Sequence, residues 1–195
     1  MKFSSKRSVP PESFLYTGEA DHKTTIRHLQ YSLKEFNEFN EKVEIKDDAV
    51  DWIIVEGLND VNAITSFCQN LNVDNLTIED ILNVNQRNKI EIYETYIFAV
   101  QKYTYIEDAT LKTDYISMLL FEDKLVTFSE KHNLFISNIL ARIKTPSSLI
   151  RKFKHEYLFY VIYDIITDEI LHVFHYISDQ VGKLEESLLT LQRND

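Results

Sequence analysis

Two adjacent carboxylates, Glu79 and Asp80, stand in the stretch LTIEDILNVNQRNKIE, whose pattern predicts a short helix followed by a charged strand. Paired oxygen donors suit Mg²⁺, which usually takes one or two protein carboxylates and keeps several waters. A local interpretation competes with this one: a helix starting near Asn75 or Thr77 would hold both acids in its first turn, with Thr77 and Asp80 as a capping box. From the residues alone, the local interpretation is favoured.

A second group of acids lies near the C-terminus, in a segment that predicts a long helix. Asp164 and Asp168 are four residues apart and therefore share a helix face, which His172, His175 and Asp179 continue. A solvated face is the default interpretation of such a stripe. The alternative is a Zn²⁺ or Co²⁺ site using imidazole nitrogen, but the stripe lacks the third or fourth ligand that zinc sites usually need.

Composition limits the class of partner. The chain has 195 residues, of which 44% are hydrophobic, so it can bury a substantial core. Its 21 basic residues stand against 31 acidic ones, and the net charge of −10 favours cations over nucleic acid as partners. We find neither an apolar run of membrane-spanning length nor a signal-peptide core, so we expect a soluble, cytosolic chain without direct membrane insertion.

The residues do not predict an enzyme. Three glycines and no Gly-rich phosphate motif argue against a nucleotide site. Ser129, Glu130 and His132 resemble a nucleophile with its base, but neighbours on a strand point to opposite faces and cannot form a triad locally. Cys68 stands among apolar residues, which predicts a buried, unreactive thiol.

The first half of the chain mixes strand and helix patterns. SFLYTG and TTIRHLQY predict strands, and Ser32 with Glu35 fits a capping box opening a helix over SLKEFNEFN. VDWIIVEGL predicts a buried central strand. It is followed by an amphipathic helix capped by Asn59 or Asp60.

The second half predicts further strands and then a long helix. KIEIYETYIFAVQKYTYI becomes continuously apolar, as a central strand does, while YISMLLF and LVTFSE flank a short connection typical of an antiparallel hairpin. From Ser148 onward about forty residues predict a long helix, and Pro146 marks the joint before it. We therefore predict a body of residues 1–146 and a helical segment of residues 147–195.

Four stretches carry a family resemblance: DWIIVEGLND, LTIEDILNVNQRNKIEIYETYIF, LVTFSE and EYLFYVIYDIITDEI. In this order they resemble landmarks of the cytoplasmic domain of CorA-type divalent-cation channels, although Asn88 stands where that family usually has Pro. The resemblance implies an α/β fold with an α/β/α layered domain, a mixed and partly antiparallel sheet, and a long C-terminal helix leading into a stalk. It also implies a homopentameric channel for Mg²⁺ and Co²⁺, with this domain on the cytoplasmic side of the cell membrane.

The same resemblance assigns metal ligands. It implies that Glu79 and Asp80 take part in divalent-cation sites between neighbouring subunits, with Asp164 supplied by the adjoining subunit; Asp168 shares its face. Mg²⁺ bound there would favour a closed pore. The family's pore-forming helices have no counterpart here, so we expect this chain not to conduct ions alone and to self-associate weakly. A free-standing α/β interaction module and the cytoplasmic domain of a Zn²⁺ transporter remain alternatives.

Overall fold

A seven-stranded mixed sheet organises the chain, of which the computed structural model describes residues 14–39 and 48–192. Its strands run in the order β2-β1-β3-β7-β6-β5-β4, and among them only β3 and β7 pair in parallel. The strands are β1 (Thr25–Tyr31), β2 (Phe36–Phe39), β3 (Val50–Glu56), β4 (Lys89–Ile92), β5 (Tyr96–Glu107), β6 (Thr110–Phe121) and β7 (Lys124–Ser129). The helices are α1 (Val61–Asn70), α2 (Asn75–Leu82), α3 (Leu134–Lys144) and α4 (His155–Gln192), with a 3₁₀ turn at Leu149–Lys152.

Strand β3 is buried along its whole length, as the apolar run predicted. Trp52 and Ile54 point into a core shared with α3 and α4, whereas Ile53 and Val55 point into a second core shared with α1 and α2. The indole Nε1 of Trp52 donates a hydrogen bond of 3.1 Å to Thr127 Oγ1 on β7, so the buried polar atom has a partner. Helices therefore cover both faces, which confirms the predicted α/β/α layering.

The connection from β3 into α1 follows the predicted chemistry. Gly57 has a φ of +84°, and a Cβ there would lie 2.5 Å from the carbonyl oxygen of His22, so only glycine fits without strain. Asp60 caps α1 by accepting a hydrogen bond of 3.0 Å from the amide of Ala63. Cys68 lies fully buried on this helix, as predicted, and burial raises the pKa of its thiol to about 12.

The predicted helix at Ser32 is wrong. Ser32 Oγ accepts a hydrogen bond from the amide of Glu35, the contact that a capping box would use, but here it closes the turn between antiparallel strands β1 and β2. The turn is stabilised from a distance by Arg151, whose guanidinium donates to the carbonyl oxygens of Ser32 (2.7 Å) and Glu35 (2.8 Å). The hydrogen bond between Ser32 and Glu35 is thus compatible with either a helix cap or a hairpin turn, and the contacts with Arg151 favour the turn.

Three further expectations change. Residues 14–18 of SFLYTG form no strand, and Ser13, like Asn40 at the end of the supposed helix, lies outside the described residues. The single strand expected from Lys89 onward is two strands, β4 and β5, joined by a turn in which the amide of Tyr93 donates to the carbonyl of Tyr96. Helix α3 was not predicted. The hairpin of β6 and β7 and the long C-terminal helix are confirmed, although α4 begins at His155.

Helix α4 changes character along its length. Its first turns bury Leu158, Val161 and Ile162 against the sheet, and Val173 is its last buried residue among those described. Large apolar side chains beyond this point are exposed: Phe174, Ile177, Val181, Leu184, Leu188 and Leu189. In the described parts of the chain, none of the helices combines the length and the apolar character needed to span a membrane.

We expect the substitution Ile54→Asp to unfold the domain, because it places an unpaired carboxylate in a site with no solvent exposure. Ile92→Asp is the matched control, since Ile92 is 82% exposed on the edge strand β4 and should tolerate the charge. Thermal melts followed by circular dichroism test both variants. A wild-type melt for Ile54→Asp would contradict the assigned core.

Candidate functional site

Helix α2 carries Glu79 and Asp80, but not in its first turn. The helix is capped by Asp74, whose Oδ1 accepts a hydrogen bond of 2.8 Å from the amide of Leu76. Thr77 is therefore inside the helix, and the predicted capping box of Thr77 with Asp80 is wrong. Both acids lie in the second turn, and Asp80 is close to the end of the helix at Leu82. A capping box and the favourable interaction with the helix dipole both require a position in the first turn. Neither effect therefore explains the positions of Glu79 and Asp80.

Two tyrosines from the sheet fix α2 in place. The hydroxyl of Tyr96 lies 3.0 Å from Thr77 Oγ1 and accepts a hydrogen bond of 3.2 Å from the amide of Asp74. The hydroxyl of Tyr115 faces the end of the helix, 3.0 Å from the carbonyl oxygen of Asp80 and 3.2 Å from that of Ile81. Burial raises the pKa of Tyr115 well above its ordinary value, so this hydroxyl keeps its proton and remains a donor.

The carboxylate of Asp80 is engaged at both oxygens. Lys89 Nζ lies 2.6 Å from Oδ2, and the side-chain amide of Gln86 donates to Oδ1. The same ammonium lies 2.8 Å from Glu91 Oε1, so it bridges two carboxylates. Burial lowers the pKa of Lys89, but its hydrogen bonds to Asp80 and Glu91 outweigh this effect and raise the pKa above its ordinary value.

The ion-pair bridge does not balance the charges that it joins. One ammonium shared by the carboxylates of Asp80 and Glu91 leaves one negative charge uncompensated within that contact, and the half-buried Glu79 is adjacent in sequence. The side chain of Asp80 is 18% exposed, so part of it is open to solvent. Hard oxygen donors with residual negative charge are chemically suited to Mg²⁺.

Sequence reasoning missed Lys89 and Gln86. Lys89 and Glu91 are two residues apart on β4 and therefore lie on the same face of the strand. Their opposite charges were a visible signal of an ion pair. The approach of that face to α2 was not visible, because it depends on how the helix is seated on the sheet.

Asp164 and Asp168 lie on the exposed face of α4. The hydroxyl of Tyr160 donates a hydrogen bond of 3.3 Å to Asp164, and the charge of Asp164 raises the pKa of Tyr160. His172 and His175 are exposed as well, so this face of α4 is open to solvent in a single chain.

The sheet separates the two groups of acids. Helix α2 packs on one face through Ile78, Ile81 and Leu82, and α4 packs on the other through Leu158 and Ile162. Across residues 14–39 and 48–192, no three His, Cys, Asp or Glu side chains are grouped so that they could hold a metal ion. A site that uses acids from both helices therefore requires two copies of the chain.

Another polar cluster connects β3 to α3. His132 Nδ1 lies 2.9 Å from Glu56 Oε1, and its Nε2 lies 2.7 Å from Ser137 Oγ. Ser129 takes no part, since its hydroxyl donates to the carbonyl of Lys131 at 3.0 Å. Ser137 lies within the first turns of α3, so the cluster ties this helix to the end of the buried strand.

Comparison with known proteins gives consistent matches. Residues 47–195 match the family model described as CorA-like Mg²⁺ transporter protein. The cobalt/magnesium transport protein CorA of Thermotoga maritima is 30% identical over 196 residues, a match covering 96% of this chain and 56% of that protein. This chain thus spans about half the length of that relative.

Solved structures share the fold. The soluble domain of CorA from Methanocaldococcus jannaschii matches with a TM-score of 0.64 at 17% identity, covering 84% of this chain and 64% of that one. The ZntB cytoplasmic domain from Vibrio parahaemolyticus matches with a TM-score of 0.58 at 14% identity, covering 82% and 65%.

We expect Tyr96→Phe to destabilise the domain by about 1 kcal/mol, because it removes the hydroxyl that joins α2 to the sheet and leaves polar groups on the helix without a partner. Tyr160→Phe removes the same atom at an exposed site and should cost much less. Urea denaturation measures both changes. Equal stability of the two variants would show that the Tyr96 hydroxyl does not anchor α2.

Proposed function

The chain belongs to the CorA-like Mg²⁺ transporter family, and from this premise we propose that it is the cytoplasmic, divalent-cation-sensing regulatory domain of a Mg²⁺/Co²⁺ channel. Mg²⁺ bound between subunits favours the closed state of the pore. The proposed location is the cytoplasmic side of the cell membrane. Ion transport, rather than catalysis, is the activity that family membership supports.

One observation carries the proposal: a half-buried carboxylate, Asp80, is held in place by the fold but lies outside the helix position where it would act as a cap. Asp80 with Glu79 supplies oxygen donors on α2, and Asp164 with Asp168 supplies donors on the exposed face of α4. Because the sheet keeps these two pairs apart within one chain, we propose that Asp80 of one subunit and Asp164 of its neighbour contribute to the same cation site.

Mg²⁺ matches the chemistry of these donors. The ion prefers oxygen ligands and keeps several waters, so one or two carboxylates from each subunit suffice. Without metal, the acids of the two subunits repel one another, and a bound divalent ion removes that repulsion and joins the chains. The contact between subunits is therefore more stable when Mg²⁺ is bound.

The energies required are modest. A sensor that responds near about 1 mM Mg²⁺ needs roughly −4 kcal/mol of binding free energy per site. The ion can bias the channel only through a difference in its affinity for the closed and open states. Partly exposed carboxylates provide affinities in this range, and they release the ion when its concentration falls.

The organisation of the chain fits this role. We propose that residues 1–146 form the sensing body and residues 147–195 the helical segment leading into a stalk. The exposed apolar side chains of α4 beyond Val173 are suited to contacts between stalk helices of a homopentamer.

A Zn²⁺ transporter domain is the second candidate. The likeness in fold to the ZntB cytoplasmic domain favours it. The exposed His172 and His175 on α4 supply imidazole nitrogen, a ligand that Zn²⁺ binds more readily than Mg²⁺ does. A channel assay that compares the two ions discriminates between these candidates.

The channel test uses a chimera in which this chain replaces the matching residues of the Thermotoga maritima relative. In that chimera, Asp80 and Asp164 are both replaced by Ala. Current should persist, because neither acid belongs to a pore, but the cytosolic Mg²⁺ needed for closure should rise about tenfold or more as the bridging carboxylates are lost. Asp179→Ala, on the same exposed face of α4, is the control. An unshifted inhibition curve for the double variant refutes the sensor assignment.

A second prediction concerns assembly of the purified 195-residue chain. In EDTA we expect weak self-association, because the facing carboxylates of neighbouring subunits repel one another; added Mg²⁺ at millimolar concentration should increase it. Sedimentation velocity at micromolar protein concentration measures both states. A tight pentamer in EDTA would contradict the prediction, as would a Mg²⁺ response that the Asp80→Ala variant retains.

A further inference from the structure

Lys89 occupies the position in which a cation would meet Asp80. Its ammonium lies 2.6 Å from Asp80 Oδ2 and 2.8 Å from Glu91 Oε1. The side chain extends over the ring of Phe98, with Nζ 5.5 Å from the ring centroid. Its backbone is paired with Val100 in the β4–β5 ladder, so the sheet fixes the position from which the side chain extends.

The ammonium and a divalent ion cannot share this oxygen favourably. Mg²⁺ binds carboxylate oxygen at about 2.0–2.1 Å. An ammonium held at its present distance from the same oxygen would then stand within a few ångströms of a doubly charged ion, in a partly buried site where repulsion is poorly screened. The other oxygen, Oδ1, already accepts the amide of Gln86. Direct binding of Mg²⁺ at Oδ2 therefore requires Lys89 to leave.

The structure also provides a place for Lys89 to go. Glu91 is more exposed than Asp80, and its Oε2 accepts a hydrogen bond of 3.2 Å from the hydroxyl of Tyr93, which steadies the carboxylate. When Lys89 leaves Asp80, it can keep its ion pair with Glu91 at the solvent edge. The exchange thus moves the ammonium without leaving it unpaired.

We propose that Lys89 is a tethered competitor for the cation site at Asp80 and thereby sets the Mg²⁺ concentration at which the domain responds. The inference rests on the proposed function, because it assumes that Asp80 binds Mg²⁺. Without metal, the ammonium pairs with Asp80, offsets part of its charge and stabilises the end of α2. At high Mg²⁺ concentration the divalent ion displaces it.

The test is a Mg²⁺ titration of the purified 195-residue chain, followed by its melting temperature, for wild type and Lys89→Met. In EDTA the variant should melt roughly 2–4 °C below wild type, because two carboxylates lose their shared counter-ion. The Mg²⁺ concentration at half-maximal protection should fall about five- to tenfold, a change of about 1.0–1.4 kcal/mol in binding. Saturating Mg²⁺ should remove the difference in melting temperature.

Two further variants isolate the charge at this position. Lys89→Arg keeps the positive charge and should keep a midpoint close to that of wild type. Lys124→Met is the matched control, since Lys124 also lies 5.5 Å over a phenylalanine ring but pairs with Asp123. It removes the same net charge and should leave the midpoint unchanged. If Lys89→Met does not fold, Lys89→Gln replaces it with the same expected decrease.

Each outcome decides between the two proposals. If Lys89→Met keeps the wild-type midpoint while Asp80→Ala abolishes protection, the competition is refuted and the cation site at Asp80 stands. If Lys89→Met is less stable at every Mg²⁺ concentration, Lys89 is only structural and the proposal fails. If neither wild type nor any Lys89 variant is protected by Mg²⁺, the proposed function fails together with this inference.

Discussion

The architecture depends on one constraint: β3 is buried on both faces and along its whole length. A strand of this kind requires an apolar layer above and below it, so helices must cover both sides of the sheet. Trp52 and Ile54 require α3 and α4, while Ile53 and Val55 require α1 and α2. The same constraint separates the acids of α2 from those of α4. Because of this separation, a cation site that used both helices would need two chains.

The parts of the fold that could be predicted from sequence are those encoded locally. The apolar run VDWIIVEGL predicted β3, Asn59 or Asp60 was predicted as the cap of α1, where Asp60 is found, and the apolar runs on either side of Glu122 predicted the β6–β7 hairpin. Each signal is local in the sequence and needs no distant partner. Helix α4 was also predictable, since its apolar residues recur three and four positions apart and no proline interrupts them.

The sequence-based predictions are wrong where contacts with distant residues determine the local structure. Ser32 makes the hydrogen bond expected of a helix cap, but Arg151, far along the chain, holds the same turn as a hairpin. Asp74 caps α2 in place of Thr77, whose hydroxyl is instead engaged by Tyr96 from the sheet. At the candidate site, Asp80 was identified by type and by resemblance, but its ion pair with Lys89 depends on how α2 packs on the sheet, which no local pattern encodes.

Helix α4 has a mechanical consequence that follows from where its burial ends. Its first turns are fixed to the sheet, and Val173 is the last buried residue among those described. From there to Gln192 the helix extends about 28 Å at 1.5 Å per residue. A tilt of roughly 5° at the anchored end displaces the far end by about 2–3 Å, by the geometry of a rigid rod of that length. Because the sheet holds only the first part of α4, a given change of tilt would displace the far end of the helix more than the packed body.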